Sequence, residues 1–435
     1  MNGVAARKLG FWALLALVVG NMIGSGIYLL PATLAPFGWN QALGWIVTLV
    51  GALSLAAVFA GLAARIPRAG GPYAYADAAF GPVAGYVAAW SYWVMTWVGN
   101  GAIAIAVVSN LSLIVPAIGA HPGLPALIAV ACVWLLTLVN LRGVRAAGRV
   151  QEVTTVLKIL PLVALILLAL WFVLSGAPHA PDPGIPITTS AVATTAGLTF
   201  WGFLGLESAT VPADKVEDAQ RNVPRATMIG VGLTGLVYLG ISLAFALYMP
   251  TDQAAASPAP VADFLGRTFG PDVAVVVALF AAISAFGALN GWILVQGEMP
   301  WAMARGGVFP AWFARESANG VPVRGHLVSS LLLSIIVLIN SQKGMGSLFE
   351  FVGSVSISAG LIAYLLSALA ALRLAPDNRR VAITALVATV FTLWAEWGLG
   401  WLANLYGGGL ILLGLALYPL VRSAGSSGSS ADQPG

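Results

Sequence analysis

"GNMIGSGIYLLPATLAPFG" (Gly20–Gly38) lies inside an apolar run long enough to cross a bilayer, yet its middle reads Gly24-Ser25-Gly26. Glycine costs roughly 1 kcal/mol relative to alanine in a helix interior. A break at mid-membrane frees backbone N–H and C=O groups that hydrocarbon cannot satisfy. Such a break is tolerable where it lines a polar cavity. The N–H groups opening the second half-helix then face that cavity with the positive end of a helix dipole. A carboxylate is the natural guest. The competing reading is close helix packing through small residues, and this stretch alone does not separate the two.

Outward from this run, 59% of the 435 residues are hydrophobic and 8% are charged, with a mean hydropathy of +0.91. A soluble chain would carry about 25% charged residues. Residues 11–30 alone would pass for a signal peptide, but the apolar runs downstream make them a first transmembrane helix. The sequence predicts an all-α polytopic membrane protein. Its twelve spans fall near 11–36, 41–64, 84–110, 122–142, 153–175, 193–212, 225–249, 272–302, 326–340, 349–372, 380–400 and 402–421.

The pI near 9.3 raises nucleic acid as a partner, and topology explains it better. With the N-terminus in the cytoplasm, every lysine and arginine falls inside except Arg267 and Lys343, which fall outside, and Lys158, which falls within the fifth span. The positive-inside rule therefore puts both termini in the cytoplasm. The expected partners are the lipid bilayer and a small molecule, not nucleic acid. The tail at 423–435 is Ser/Gly-rich and is expected to be disordered. Cys132 is the single cysteine, so no disulfide framework or thiolate metal site is expected, and no cofactor. His121, His179 and His326 read as loop or span-end residues.

A second span is also interrupted. In "TFWGFLGLESATV" (Thr199–Val211), Gly202 and Gly205 flank the middle of the sixth span. It stands five spans after the first, and an odd offset gives the two opposite orientations. Glycine-interrupted segments at matching places of two halves point to a binding site built on inverted repeats.

Five stretches, in this order, resemble the amino acid–polyamine–organocation superfamily: "GNMIGSGIYLLP" (20–31), "GGPYAYADAAFG" (70–81), "FWGFLGLESATV" (200–211), "RNVPRAT" (221–227) and "GVFPAWFAR" (307–315). Within it the chain is most similar to the basic amino acid/polyamine antiporters, especially arginine/agmatine exchangers. The resemblance implies a LeuT-like 5+5 inverted repeat, with discontinuous helices 1 and 6 and two peripheral helices. One transporter domain would span 1–422, with repeats near 11–175 and 193–372 and peripheral helices at 380–421. It also implies sodium-independent exchange of a cationic amino acid for an amine, in an inner (plasma) membrane, and a possible homodimer.

By the same resemblance, Ile23, Gly24, Ser25 and Gly26 match a substrate α-carboxylate site. Trp201, Gly202, Leu204 and Gly205 match the region that meets the α-amino group and caps the pocket. Asn100 and Trp292 match contacts for the cationic end, and Ser356 a small polar contact. Glu207, Tyr92 and Tyr364 match a gating cluster, and Tyr73 an aromatic near the inner gate.

Physical chemistry weighs these residues independently. A carboxylate at the bilayer centre costs about 3 kcal/mol to insert, so Glu207 either attracts a cation, carries a proton, or caps neighbouring tyrosines. Trp201 and Trp292 fall mid-span, where an indole face can hold a cation or simply pack. Asn100 can accept from a substrate or tie two helices together, and Asn21 reads as a helix tie. Lys158 departs from the arginine/agmatine pattern, which has a small apolar residue there. Related permeases carry a lysine whose ammonium stands in for sodium. Snorkelling to the inner surface is its other reading.

Two further functions stay open. One is a proton-coupled or uncoupled permease for neutral amino acids, with Lys158 as the ion-site substitute. The other, remote, is a channel or membrane-embedded enzyme. An enzyme needs a nucleophile–base pair or a metal set, and a channel needs a filter or charged ring. The sequence displays neither. Glu298, Glu350 and Glu396 receive no transport role.

Overall fold

The computed structural model describes residues 10–66, 70–142, 144–210, 216–318, 320–376 and 378–426. Arg7, Lys8, Arg68, Lys215 and most of the Ser/Gly tail, all used in the topology reading, lie outside them.

Among the described residues the regular structure is helical. The first half holds α1 (Phe11–Met22), α2 (Gly26–Leu34), α3 (Asn40–Arg65), α4 (Pro72–Phe80), α5 (Pro82–Ile114), α6 (Ala117–Ala120), α7 (Leu124–Leu141) and α8 (Val144–Ser175). After an extended segment come α9 (Thr189–Thr199), α10 (Ala219–Tyr248), α11 (Thr251–Ala256), α12 (Pro260–Phe269) and α13 (Pro271–Arg305). Then follow α14 (Val323–Ile339), α15 (Met345–Leu374), α16 (Arg379–Gly398) and α17 (Trp401–Ser426). Nine of the described segments are long and apolar enough to cross a membrane, the first running Leu14–Phe37 through the interruption between α1 and α2. Leu160–Ser175 and Val323–Ile339 are shorter apolar helices.

Local chemistry sets the boundaries. Gly81 at φ 88° precedes Pro82 at the start of α5, and Gly270 at φ 96° precedes Pro271 at the start of α13. Glycine supplies the left-handed stop, and proline needs no N–H in a first turn. Thr188 caps α9 by accepting from the Ala191 N–H at 3.1 Å, and Asn378 caps α16 by accepting from Val381 at 3.2 Å. α17 continues to Ser426, past the expected tail boundary at Ser423, because a helix end frays into polar sequence gradually.

α5 is apolar on every side and buried nearly throughout, which makes it the axis of the bundle. It packs against α13 and α15, while α3 packs against α9, α10 and α16. α16 and α17 lie at the edge and leave Leu393, Trp397, Trp401 and Leu405 exposed. Small residues set the closest approaches, as expected where hydrocarbon tails are as apolar as the helices themselves. A Cβ added at Gly398 would lie 2.1 Å from the Ala193 carbonyl oxygen. His326 lies at a helix start, as its span-end reading expects. It opens α14 yet is fully buried, its ring lying flat over Gly297.

Candidate functional site

The interruption in the first span is real. α1 ends at Met22, and Ile23 turns extended (φ −74°, ψ 94°) while its N–H still donates to the Val19 carbonyl at 2.9 Å. α2 then restarts at Gly26. The first N–H groups of a helix have no partner within it, so the restart offers donors at Gly24–Gly26, in the wall of the bundle's cavity. The sixth span breaks differently. α9 tightens into a 3-10 turn over Phe200–Phe203, Leu204 is extended, and Gly205 takes φ +98°, a conformation that strains any residue with a Cβ. Turns continue to Thr210.

Between these two breaks lies a cavity, with roughly 420 Å³ of non-atom space in and around it that includes open solvent. Gly24, Ser25, Gly26, Asn100, Trp201, Leu204, Trp292 and Ser356 line it, all of them singled out in the sequence. Ile23, Gly202 and Gly205 stand behind the lining. Gly202 admits the ring of Tyr238, since an added Cβ would lie 2.6 Å from it, and Gly205 backs onto Asn21 and Trp292. Asn21 lines the cavity, where the sequence reading made it a helix tie. Met22, Met95, Thr96, Gly99, Ile103 and Ala288 complete the wall. Thr96 and Ile103 stand four residues before and three after Asn100 on α5, and helical spacing from Asn100 was the signal that finds them.

Trp201 forms one end of this cavity. Its indole sits over Gly26, where a Cβ would come within 2.4 Å of Cδ1, and it meets Phe349 edge-on at 5.7 Å. Phe349 and Glu350 border a second, larger cavity, with Leu29, Thr33, Ser109 and Ser257 also in its wall. The Trp201–Phe349 pair is thus the partition between the two spaces.

Glu207, Tyr92 and Tyr364 come together behind the cavity. Oε1 of Glu207 accepts from the Tyr92 hydroxyl and Oε2 from that of Tyr364, both at 2.6 Å, and all three are buried. Phe59 and Phe200 meet the Tyr364 ring edge-on at 5.5 and 5.6 Å. Both oxygens are therefore held by charge-assisted bonds in an aromatic surround. Tyr73, on α4, stands apart from the cluster, against Gly85 and Gly306.

Lys158 does not snorkel. It is buried, and its Nζ donates to the Gly20 carbonyl at 2.5 Å, in the last turns of α1. The Lys158 carbonyl in turn accepts from the Tyr28 hydroxyl on α2. One residue of α8 therefore engages both halves of the broken helix.

A bundle of apolar helices with a cavity at a broken span is the architecture of a membrane carrier. Residues 9–429 match the amino acid permease family model, and the chain belongs to that family, within the amino acid–polyamine–organocation superfamily. It is a transporter and not an enzyme. Over 383 residues it is 34% identical to a cadaverine/lysine antiporter of Escherichia coli (strain K12), covering 86% of each chain. A putative arginine/ornithine antiporter of Bacillus subtilis (strain 168) is 31% identical, with 96% of this chain and 97% of the relative covered. The putrescine transporter PotE of Escherichia coli (strain K12) is 30% identical over 97% and 98%.

Proposed function

We propose that this chain exchanges a cationic amino acid for a decarboxylated amine by alternating access, without sodium. The observation that carries the reading is the polarity of the cavity. The α2 N-terminus at Gly24–Gly26 lies in the same wall system as Asn100, Trp201 and Trp292. The α-carboxylate docks on the N–H groups of the break, where dipole and donors both favour an anion. The cationic end lies between the Trp292 face and Asn100. Trp201 closes over the substrate, and Glu207 with Tyr92 and Tyr364 forms the gate, with Tyr73 nearer the inner face. Substrate shifts the inward–outward equilibrium only by its different affinity for the two states. In this reading the chain has twelve spans, inverted repeats over about 11–175 and 193–372, and both ends in the cytoplasm of an inner-membrane protein, with homodimer formation open to test.

The relatives' names support cationic amines as the substrate class: one pairs cadaverine with lysine, one pairs arginine with ornithine and one carries putrescine. Arginine against agmatine and lysine against cadaverine are two pairs of this class. The bond between Lys158 and the Gly20 carbonyl supports a second reading, a sodium-independent permease for neutral amino acids with this ammonium in an ion's place. Thermal stabilisation of the purified protein separates the two, since a ligand that binds only the folded state raises its stability. Arginine, agmatine, lysine, cadaverine and putrescine stabilise an antiporter of this kind. Stabilisation by alanine and leucine alone selects the permease and rejects the exchanger.

A further inference from the structure

Asn100 lines the cavity from α5, and a chain of three buried side chains behind it sets which way its amide faces. Asn100 Nδ2 lies 2.8 Å from Gln296 Oε1, Gln296 Nε2 lies 2.9 Å from Ser330 Oγ, and Ser330 Oγ lies 2.7 Å from Thr137 Oγ1. Thr137 Oγ1 ends the chain 2.8 Å from the Val133 carbonyl oxygen. All four side chains are fully buried.

A carbonyl can only accept, so Thr137 gives its single proton to Val133. Ser330 must then donate to Thr137, and its oxygen is left to accept from the Gln296 NH₂. That turns the Gln296 carbonyl toward Asn100, which answers with its own NH₂. Only this direction satisfies every link. The Asn100 Oδ1 is the remainder: a buried atom, on a residue that lines the cavity, with no partner among the described residues. A buried acceptor left unpaired costs about 1–3 kcal/mol, which a donor-bearing guest would relieve. The neighbouring hydroxyls agree. Thr96 donates to the Trp93 carbonyl and Ser356 to the Met95 carbonyl, both at 2.7 Å, so each also has only lone pairs to offer.

We infer that Gln296, Ser330 and Thr137 are positioning residues that lock Asn100 as a hydrogen-bond acceptor, so that the cavity takes a substrate end rich in N–H donors and rejects a carboxylate there. This rests on the exchanger reading and deepens it, by making substrate polarity depend on side chains that never touch the substrate.

The test compares lysine with α-aminoadipate, whose side chain ends in a carboxylate, by binding to the purified full chain. Wild type, Thr137→Val, Thr137→Ser and Gln296→Leu are measured. Valine keeps the shape of threonine but cannot accept from Ser330, so the chain loses its anchor and the amide can invert. The lysine preference falls at least tenfold in Thr137→Val and Gln296→Leu, while Thr137→Ser restores it to within twofold of wild type. An unchanged preference in both folded variants overturns the inference. Thermal midpoints of Thr137→Val, Asn100→Ala and the double variant are taken without substrate. A coupled pair departs from additivity, and additive losses overturn the inference as well. If wild type binds no cationic amino acid or amine, the exchanger reading fails on its own, and the thermal cycle still decides whether the chain exists.

Discussion

The ammonium of Lys158 meets the carbonyl of Gly20 at 2.5 Å, joining α8 to the last turns of α1 before the chain breaks. A buried ammonium has to be paired, and a carbonyl near a helix end has a lone pair to spare. The contact therefore fixes where α1 stops relative to α8.

Lys158→Met keeps the length of the side chain and removes the charge and its donors. It leaves the Gly20 carbonyl without this partner, at a cost of about 1–3 kcal/mol. We expect a lower thermal midpoint and at least a tenfold loss of counterflow in proteoliposomes. Full transport by a destabilised Lys158→Met protein would make the residue purely structural.

Glu207 accepts from two tyrosines at once, and a glutamine in its place can accept through only one oxygen. In Glu207→Gln one hydroxyl faces an amide NH₂ instead. Tyr92→Phe and Tyr364→Phe each remove one donor and leave the acid with the other. Hydrogen bonds to a charged group contribute about 1.5–3 kcal/mol each. Glu207→Gln is expected to cut exchange tenfold or more, with each tyrosine variant losing less. Equal activity of Glu207→Gln and wild type would remove Glu207 from the gate.

Gly26 and Trp201 form a fitted pair across the two breaks. Gly26→Ala would put a methyl within 2.4 Å of the indole, against a side chain that is itself packed on Phe349. The indole must swing away, and the cavity loses its closing wall. Substrate affinity is expected to fall at least tenfold in Gly26→Ala, by isothermal titration, with unfolding close to wild type. Affinity unchanged from wild type would show that Trp201 does not need that seat.

The fold and half of the cavity were legible for different reasons. Gly24-Ser25-Gly26 announces itself because glycine opposes helix wherever it stands, and that is a local property. Glu207 and Lys158 stand out because charge inside hydrocarbon demands a cause. Asn21 was read only as a helix tie and Gln296 was passed over because an amide in a span is equally at home bridging helices or lining a cavity, and only the surroundings decide. Gly202 and Gly205 carry the opposite lesson. Their motif marks the break, yet one makes room for Tyr238 and the other bends the chain behind the lining.

Trp292 separates the two transport readings most directly. Its indole lines the same cavity as the α2 N-terminus, half-buried and with Ala288 one turn away on the same helix. An indole face attracts a desolvated cation by about 2 kcal/mol, which corresponds to roughly 30-fold in affinity. Trp292→Ala removes the face and opens space, so loss of cation binding alone would not distinguish attraction from shape. Trp292→Leu keeps much of the apolar bulk without the quadrupole. For an exchanger, both variants lose most of their affinity for arginine, lysine and cadaverine, and Trp292→Leu retains whatever weak affinity it has for leucine. For a neutral amino acid permease, Trp292→Leu binds leucine as wild type does and the basic substrates never bind. Counterflow of labelled arginine at wild-type affinity in Trp292→Ala would reject the pose outright, because no other aromatic face in the cavity wall except Trp201, which is committed to Gly26 and Phe349, could take its place.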